Sequence, residues 1–113
     1  DFPINLELSG KLKNQNKLLL YGFSKTGLTI INYLLKNKHK VTGIIDKNIN
    51  QIEYSGIKIY NTINSIDFEF DKIIIASLGY QNEIYEILKE NNIEEKKIIK
   101  YYSIEVFRKY WNI

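Results

Sequence analysis

The spacing of apolar positions changes several times along the chain, and each change marks an element. Lys17 to Phe23 reads Lys-Leu-Leu-Leu-Tyr-Gly-Phe, a short continuous apolar run ending near a glycine, as in a strand buried on both faces of a parallel sheet. From Gly27 the spacing becomes Leu28, Ile30, Ile31, Leu34 and Leu35, which gathers the apolar side chains on one helical face. That stripe ends in Lys36-Asn37-Lys38-His39-Lys40 and predicts a helix of about three turns. Val41 to Asp46 is a second strand closing on a carboxylate, with Asp46-Lys47-Asn48 as turn residues.

The alternation resumes at Ile57-Lys58-Ile59-Tyr60, which reads as an edge strand, and Asn61 to Asp71 carries turn formers with room for a short helix. Lys72 to Ser77 is another strand of the buried type. Leu78-Gly79-Tyr80 breaks it, and Ile84, Tyr85, Ile87 and Leu88 define a second amphipathic helix that runs out at Asn91-Asn92. Ile98 to Tyr101 is a short last strand, and Ser103 is placed to cap a helix through Trp111. Before the first strand, Ile4, Leu6 and Leu8 fit a period of two while Leu8 and Leu12 fit a period of four. Residues 1–16 are therefore expected as an arm or short helix, and residues 17–113 as the folded domain.

Strands alternating with helices through short turns predict a parallel sheet with right-handed crossovers and helices on both faces. The fold class expected is α/β, a doubly wound, Rossmann-like parallel sheet of about five strands in the order 3-2-1-4-5.

Composition narrows the chemistry. The chain has 113 residues, no cysteine and a formal charge of +3; one domain fits, and disulfides, thiolate metal sites and Cys nucleophiles drop out. Lysines are interleaved with Asp and Glu rather than gathered in a stripe, so nucleic acid binding is not expected. No apolar run approaches the ~20 residues of a membrane span, and a cytoplasmic location is expected. The chain begins at Asp1 and contains no Met, so it reads as a domain excised from a longer protein.

The turn between the first strand and helix is Gly22-Phe23-Ser24-Lys25-Thr26-Gly27. At this place in a dinucleotide fold, glycines bend the chain and let backbone N–H groups approach a pyrophosphate at the helix start. The segment matches G-x-G-x-x-G in its first and third glycines only; Ser24 takes the middle position and the bulky Phe23 precedes it, hindering backbone approach. Ser24 and Thr26 offer hydroxyls to phosphate oxygens and Lys25 adds charge. A Walker loop is excluded because Leu28 stands where its lysine must be.

Asp46 lies nineteen positions after Gly27, at the strand end where a carboxylate accepts hydrogen bonds from a ribose diol. With Lys47 it completes the first candidate site; the bland reading is that Asp46 opens a polar turn. Ser77, Leu78, Gly79 and Tyr80 form a second candidate patch, which the topology brings beside the first. Its bland reading is a strand-to-helix turn with Gly79 chosen for backbone freedom. His39 is the one histidine, at the opposite end of the sheet, and is expected to face water. Glu94-Glu95-Lys96-Lys97 reads as a solvated turn. Tyr33, Tyr60 and Tyr85 read as core or sheet-covering residues with a polar tip. The cluster Tyr101, Tyr102, Val106, Phe107, Tyr110 and Trp111 is a candidate contact with other domains or with a second copy.

The segments Leu20 to Gly27, Val41 to Asn48, Asp71 to Ser77 and Ile93 to Ile99 resemble a bacterial family of Rossmann-like domains found in surface-polysaccharide and glycan-modifying proteins. The resemblance covers about residues 17 to 102, and Phe23 and Ser24 depart from the usual G-A-G-x-x-G turn. It implies fusion to sugar acetyltransferases, methyltransferases or glycosyltransferases, and a nucleotide-sugar as ligand, with NAD(P) or CoA as the other options. No catalytic constellation accompanies the turn. The expectation is a nucleotide- or nucleotide-sugar-binding domain without a complete catalytic site, part of a transferase; the alternative is a structural or dimerisation domain that has lost its ligand.

Overall fold

Leu18, Leu19 and Leu20 are completely buried. Successive strand side chains point to opposite faces, so three buried in a row require that both faces of the sheet be covered. A computed structural model describes residues 12, 16–77 and 79–100, and it shows how this is done. In chain order the elements are β1 (Lys17–Tyr21), α1 (Lys25–Lys36), β2 (Lys40–Ile45), β3 (Glu53–Tyr54), β4 (Ile57–Tyr60), β5 (Lys72–Ile75), α2 (Gln81–Glu90) and β6 (Ile98–Lys100), with single 3-10 turns at Ile63–Ser65 and Glu95–Lys97. Helix α1 buries Ile30, Ile31 and Leu34 with Leu18, Leu20, Ile44 and Ile74. Helix α2 buries Ile84 and Leu88 with Leu19, Ile45, Ile73 and Ile75. Neighbouring leucines of β1 thus belong to different clusters, one for each helix.

The protein is a small α/β domain with a six-stranded mixed sheet in the order β3-β4-β2-β1-β5-β6. All pairs are parallel except β3 with β4. This differs from the expected five parallel strands. The addition is β3, which folds back onto β4 through Ser55 and Gly56 at φ 54° and 81°; positive φ at both central residues marks a type I′ hairpin. A two-residue strand has no periodicity, so the pattern of apolar positions could not announce it.

A second irregularity lies in β2. Leu18 pairs with Val41 but Leu19 pairs with Gly43, leaving Thr42 as an extra residue whose hydroxyl donates to the Leu18 carbonyl at 3.2 Å. Such a bulge changes which face the following side chains take. Val41 and Ile44, three apart, consequently both pack in the α1-side cluster. At the other end of β1, Lys17 and Asp71 clasp the strand starts: the Lys17 N–H donates to Asp71 Oδ2 at 2.7 Å and the Asp71 N–H to the Lys17 carbonyl at 2.8 Å.

The strands before the two helices end earlier than their apolar runs suggest, at Tyr21 and Ile75, and α1 begins at Lys25 rather than Gly27. Its first turn contains no apolar stripe, and only backbone geometry marks it. Ser24 is the N-cap, with extended backbone but no side-chain cap bond. A good cap contributes about 1 kcal/mol, against about 1.5–3 kcal/mol for each fully buried Ile or Leu. Docking of Ile30, Ile31 and Leu34, not capping, therefore holds α1 in place. Of the first sixteen residues, Leu12 and Asn16 are described, and Leu12 packs against the α1-side cluster. The helix expected from Ser103 and the aromatic cluster from Tyr101 to Trp111 lie outside the described residues.

Candidate functional site

Between β1 and α1 the chain turns in three residues, Gly22, Phe23 and Ser24. Gly22 has φ 110°, a conformation side chains rarely adopt. Its N–H donates to the Ile45 carbonyl at 2.7 Å, while the Ala76 N–H donates to the Tyr21 carbonyl at 2.8 Å. The turn is therefore held between the ends of β2 and β5. A Cβ on Gly22 would lie 3.2 Å from the Ala76 carbonyl oxygen. On Gly27 it would lie 2.1 Å from the Gly22 carbonyl oxygen, a backbone clash without remedy. The two glycines that match the sequence pattern are thus both demanded by the geometry of the turn.

The first hydrogen bond of α1 runs from the Leu28 N–H to the Ser24 carbonyl at 2.9 Å. The amides of Lys25, Thr26 and Gly27 precede it and have no acceptor within the helix. Ser24 and Lys25 are exposed, Thr26 is half-buried, and no acidic residue sits in the first turn. The helix start is thereby left with positive character, which favours an anion.

Asp46 follows the last residue of β2 and reaches back to the turn. Its Oδ2 accepts the Phe23 N–H at 2.8 Å and its Oδ1 accepts the Asn48 N–H at 2.9 Å. The Asp46 N–H donates to the Tyr60 carbonyl at 2.8 Å, which ties it to the end of β4 as well. Burial, and then the charge of Asp46, push the Tyr21 hydroxyl above its ordinary value of 10.0. Lys47, next in the chain, is exposed.

Phe23 does not stand over the turn as an obstruction. Its ring packs 5.1 Å from that of Tyr54 and joins the α1-side cluster, while the Tyr54 hydroxyl donates to Asn32 Oδ1 at 2.7 Å. Phe23 thus anchors the turn to the hairpin of β3, a partner the sequence pattern does not reveal. In the second candidate patch, Ala76 lies against both glycines of the turn, so the β5 end does sit beside it. Ser77 Oγ accepts the Tyr80 N–H at 3.2 Å, a local turn bond. A Cβ on Gly79 would meet nothing within 4 Å, and Gly79 has no positive φ, so backbone freedom is not what it supplies. Leu78 lies outside the described residues.

Elsewhere, His39 is half-buried rather than facing water, and its Nδ1 is buried without a hydrogen-bond partner among the described residues. Tyr33, Tyr60 and Tyr85 are half-buried against the two clusters. The Tyr85 hydroxyl donates to Glu95, and this bond is the first cause holding the Glu95 carboxyl below its ordinary range. Among the described residues no group of three His, Asp or Glu is placed to hold a metal, and no helix is long and apolar enough to cross a membrane.

A cavity of about 400 Å³, which no sequence pattern marks, opens beyond Asp46. It is lined by the loop Ile49 to Ile52, by Lys58 to Asn61 and by Ser65. The alternation of β4 puts Lys58 and Tyr60 on one side of the strand, and the Lys58 ammonium lies 5.0 Å from the centre of the Tyr60 ring. The connection from Ile49 to Ile52 shows no apolar period, so nothing local signals that it walls a cavity.

Fold and site together define a small α/β domain with a glycine-bounded turn at the carboxyl end of its central strand. The chain belongs to the C2185-like, N-terminal domain family, whose model matches residues 14–99. Its fold is similar to that of the conserved hypothetical protein Pfu-723267-001 from Pyrococcus furiosus, at 20% sequence identity over 86% of each chain and a TM-score of 0.60. No curated protein matches the chain.

Proposed function

We propose that this chain is a nucleotide-binding domain of a larger bacterial glycan-assembly protein, with a nucleotide-sugar as its ligand and the chemistry carried by another domain of a transferase. The observation that carries the reading is the convergence of two features at one end of the sheet. The Gly22 to Gly27 turn leads into the first amides of α1, which have no acceptor within the helix, and the Asp46 carboxylate accepts the Phe23 N–H of that turn at 2.8 Å. Phosphate oxygens would meet the amides of Lys25 to Gly27, with the Ser24 and Thr26 hydroxyls and the Lys25 ammonium beside them. Each carboxylate oxygen has more than one acceptor site, so Asp46 retains capacity for a ribose hydroxyl while holding Phe23 and Asn48. NAD(P) and CoA rank behind a nucleotide-sugar, since no hydride-transfer residues accompany the turn and Ser24 replaces the middle glycine.

Thermal shift against UDP- and GDP-sugars, CoA, NAD(H) and NADP(H) tests the reading, with Gly22→Val and Asp46→Ala as comparison. A ligand class that raises the melting temperature of the wild type alone supports it. Silence from every ligand at millimolar concentration overturns it. A structural domain without a ligand is the second reading, and Asp46 favours it in one respect: both carboxylate oxygens are satisfied by backbone N–H groups of the chain itself.

A further inference from the structure

Phe23 sits between two soft points of the chain. Before it, Gly22 holds φ 110° with no side chain to fix it there. After it, Ser24 opens α1 without a side-chain cap bond, so the serine does not fasten the start of the helix by itself. The Phe23 N–H is bound by Asp46, which sets the peptide plane ahead of the residue. That bond leaves the plane behind it unset, and this second plane leads through Ser24 to the amides of Lys25, Thr26 and Gly27.

The other tether of Phe23 is its ring, which packs 5.1 Å from the ring of Tyr54. Tyr54 is itself held at two further points. Its backbone pairs with Ile57 across the hairpin, and its hydroxyl donates to Asn32 Oδ1 on α1 at 2.7 Å. One side chain of the outermost strand therefore touches both the turn and the helix that follows it. An N–H direction and a Cα–Cβ direction together define the frame of a residue. Asp46 supplies the first for Phe23, and Tyr54 the second.

We infer that Tyr54 is a positioning residue of the phosphate site: by holding the Phe23 ring in register with α1, it aims the first amides of the helix and acts through Phe23 rather than on the ligand. The inference rests on the nucleotide-binding reading above. A site that is competent for only a fraction of the time loses affinity by that fraction. Breaking one aromatic pair lowers the fraction by a factor of about three to ten. Asp46 does not make up the difference, because its bond to the N–H leaves the direction of the ring free.

The test is an NMR-monitored titration of the full chain with UDP and, in parallel, GDP, in the wild type, Tyr54→Leu, Phe23→Leu and the double variant. Each single variant is expected to bind about threefold to tenfold more weakly. The double variant is expected to lose no more than the larger single loss, because both substitutions break the same contact. Tyr54→Phe keeps the ring and should recover most of the affinity. Ile99→Val trims a buried side chain of β6, two strands from β1, and is the control that lowers the melting temperature alone. If Tyr54→Leu lowers the melting temperature as Ile99→Val does yet binds as the wild type, or if the two single losses add in the double variant, the positioning role is overturned and the nucleotide reading stands. Should Tyr54→Leu fail to fold, Phe23→Leu decides, since it breaks the contact from the other side and keeps an apolar side chain; unchanged affinity there overturns the inference. If the wild type binds neither diphosphate, the inference and the reading fall together.

Discussion

The carboxylate of Asp46 accepts the backbone N–H of Phe23 at 2.8 Å across 23 residues of sequence. This bond joins the end of β2 to the turn that starts α1, and the same carboxylate orders its own loop through the Asn48 N–H. A residue expected either to meet a ribose or to open a polar turn is therefore a fastener of the turn before α1.

Replacing Asp46 should consequently lower stability with no ligand present. Hydrogen bonds to a charged group contribute about 1.5–3 kcal/mol, and Asp46→Ala is expected to lose stability of that order in urea unfolding. Asp46→Asn keeps one carbonyl acceptor and should lose about half as much. Equal stability of wild type and Asp46→Ala would show that the two backbone N–H groups find water as readily as the carboxylate.

The glycines separate by mechanism. Gly27→Ala puts a Cβ 2.1 Å from backbone and should cost about 4 kcal/mol or more, at the extreme of single substitutions. Gly22→Ala meets the Ala76 carbonyl less closely, at 3.2 Å, but must hold φ 110°, for a loss of roughly 1–3 kcal/mol. Gly79→Ala projects into open space and is expected to stay within about 0.5 kcal/mol of wild type. Denaturation midpoints of the three variants check the order.

Lys38 follows α1 with φ 63°, a left-handed conformation that glycine adopts without strain. Its N–H donates to the Leu35 carbonyl at 3.1 Å, a bond glycine preserves. Lys38→Gly should raise stability by about 0.5–1 kcal/mol, read as a higher unfolding midpoint with an unchanged denaturant slope. A loss of stability would mean that the greater chain entropy of glycine in the unfolded state outweighs the relief.

Tyr21 provides a pH-dependent readout of the site. Its hydroxyl is raised from 10.0, first by burial and then by Asp46. The unfolded chain therefore releases this proton at lower pH than the folded one. The contribution to stability is complete below pH 10.0 and is lost as pH rises through the folded value. Tyr21→Phe should flatten that alkaline loss. In Asp46→Asn the Tyr21 ring resonance, followed by NMR, should titrate nearer its ordinary value without reaching it, because burial is the larger cause.

The candidate site is legible in the sequence where backbone geometry itself dictates the residue. Gly22 and Gly27 are visible as spaced glycines, and the positive φ of one and the 2.1 Å approach of the other explain why no other residue serves. The role of Phe23 is hidden because its partner Tyr54 is 31 residues away on a strand too short to show a pattern. The cavity beside Lys58 is hidden for a different reason: one lysine in an alternating strand looks like any solvated residue until the fold sets the Ile49 to Ile52 loop against it.

What the sequence determined by itself follows from spacing. Continuous apolar runs specify strands buried on both faces, the stripe from Ile30 to Leu34 specifies a helix docked on one of them, and the spaced glycines Gly22 and Gly27 specify a turn. These are short-range consequences of period and conformational freedom, complete within a few residues. The tertiary structure alone decided the bulge at Thr42, the hairpin that makes the sheet mixed, the commitment of Asp46 to Phe23 and the cavity at Lys58. Each depends on contacts between segments whose separation along the chain carries no periodic trace, so only the folded sheet, by fixing which strand lies beside which, could bring them together.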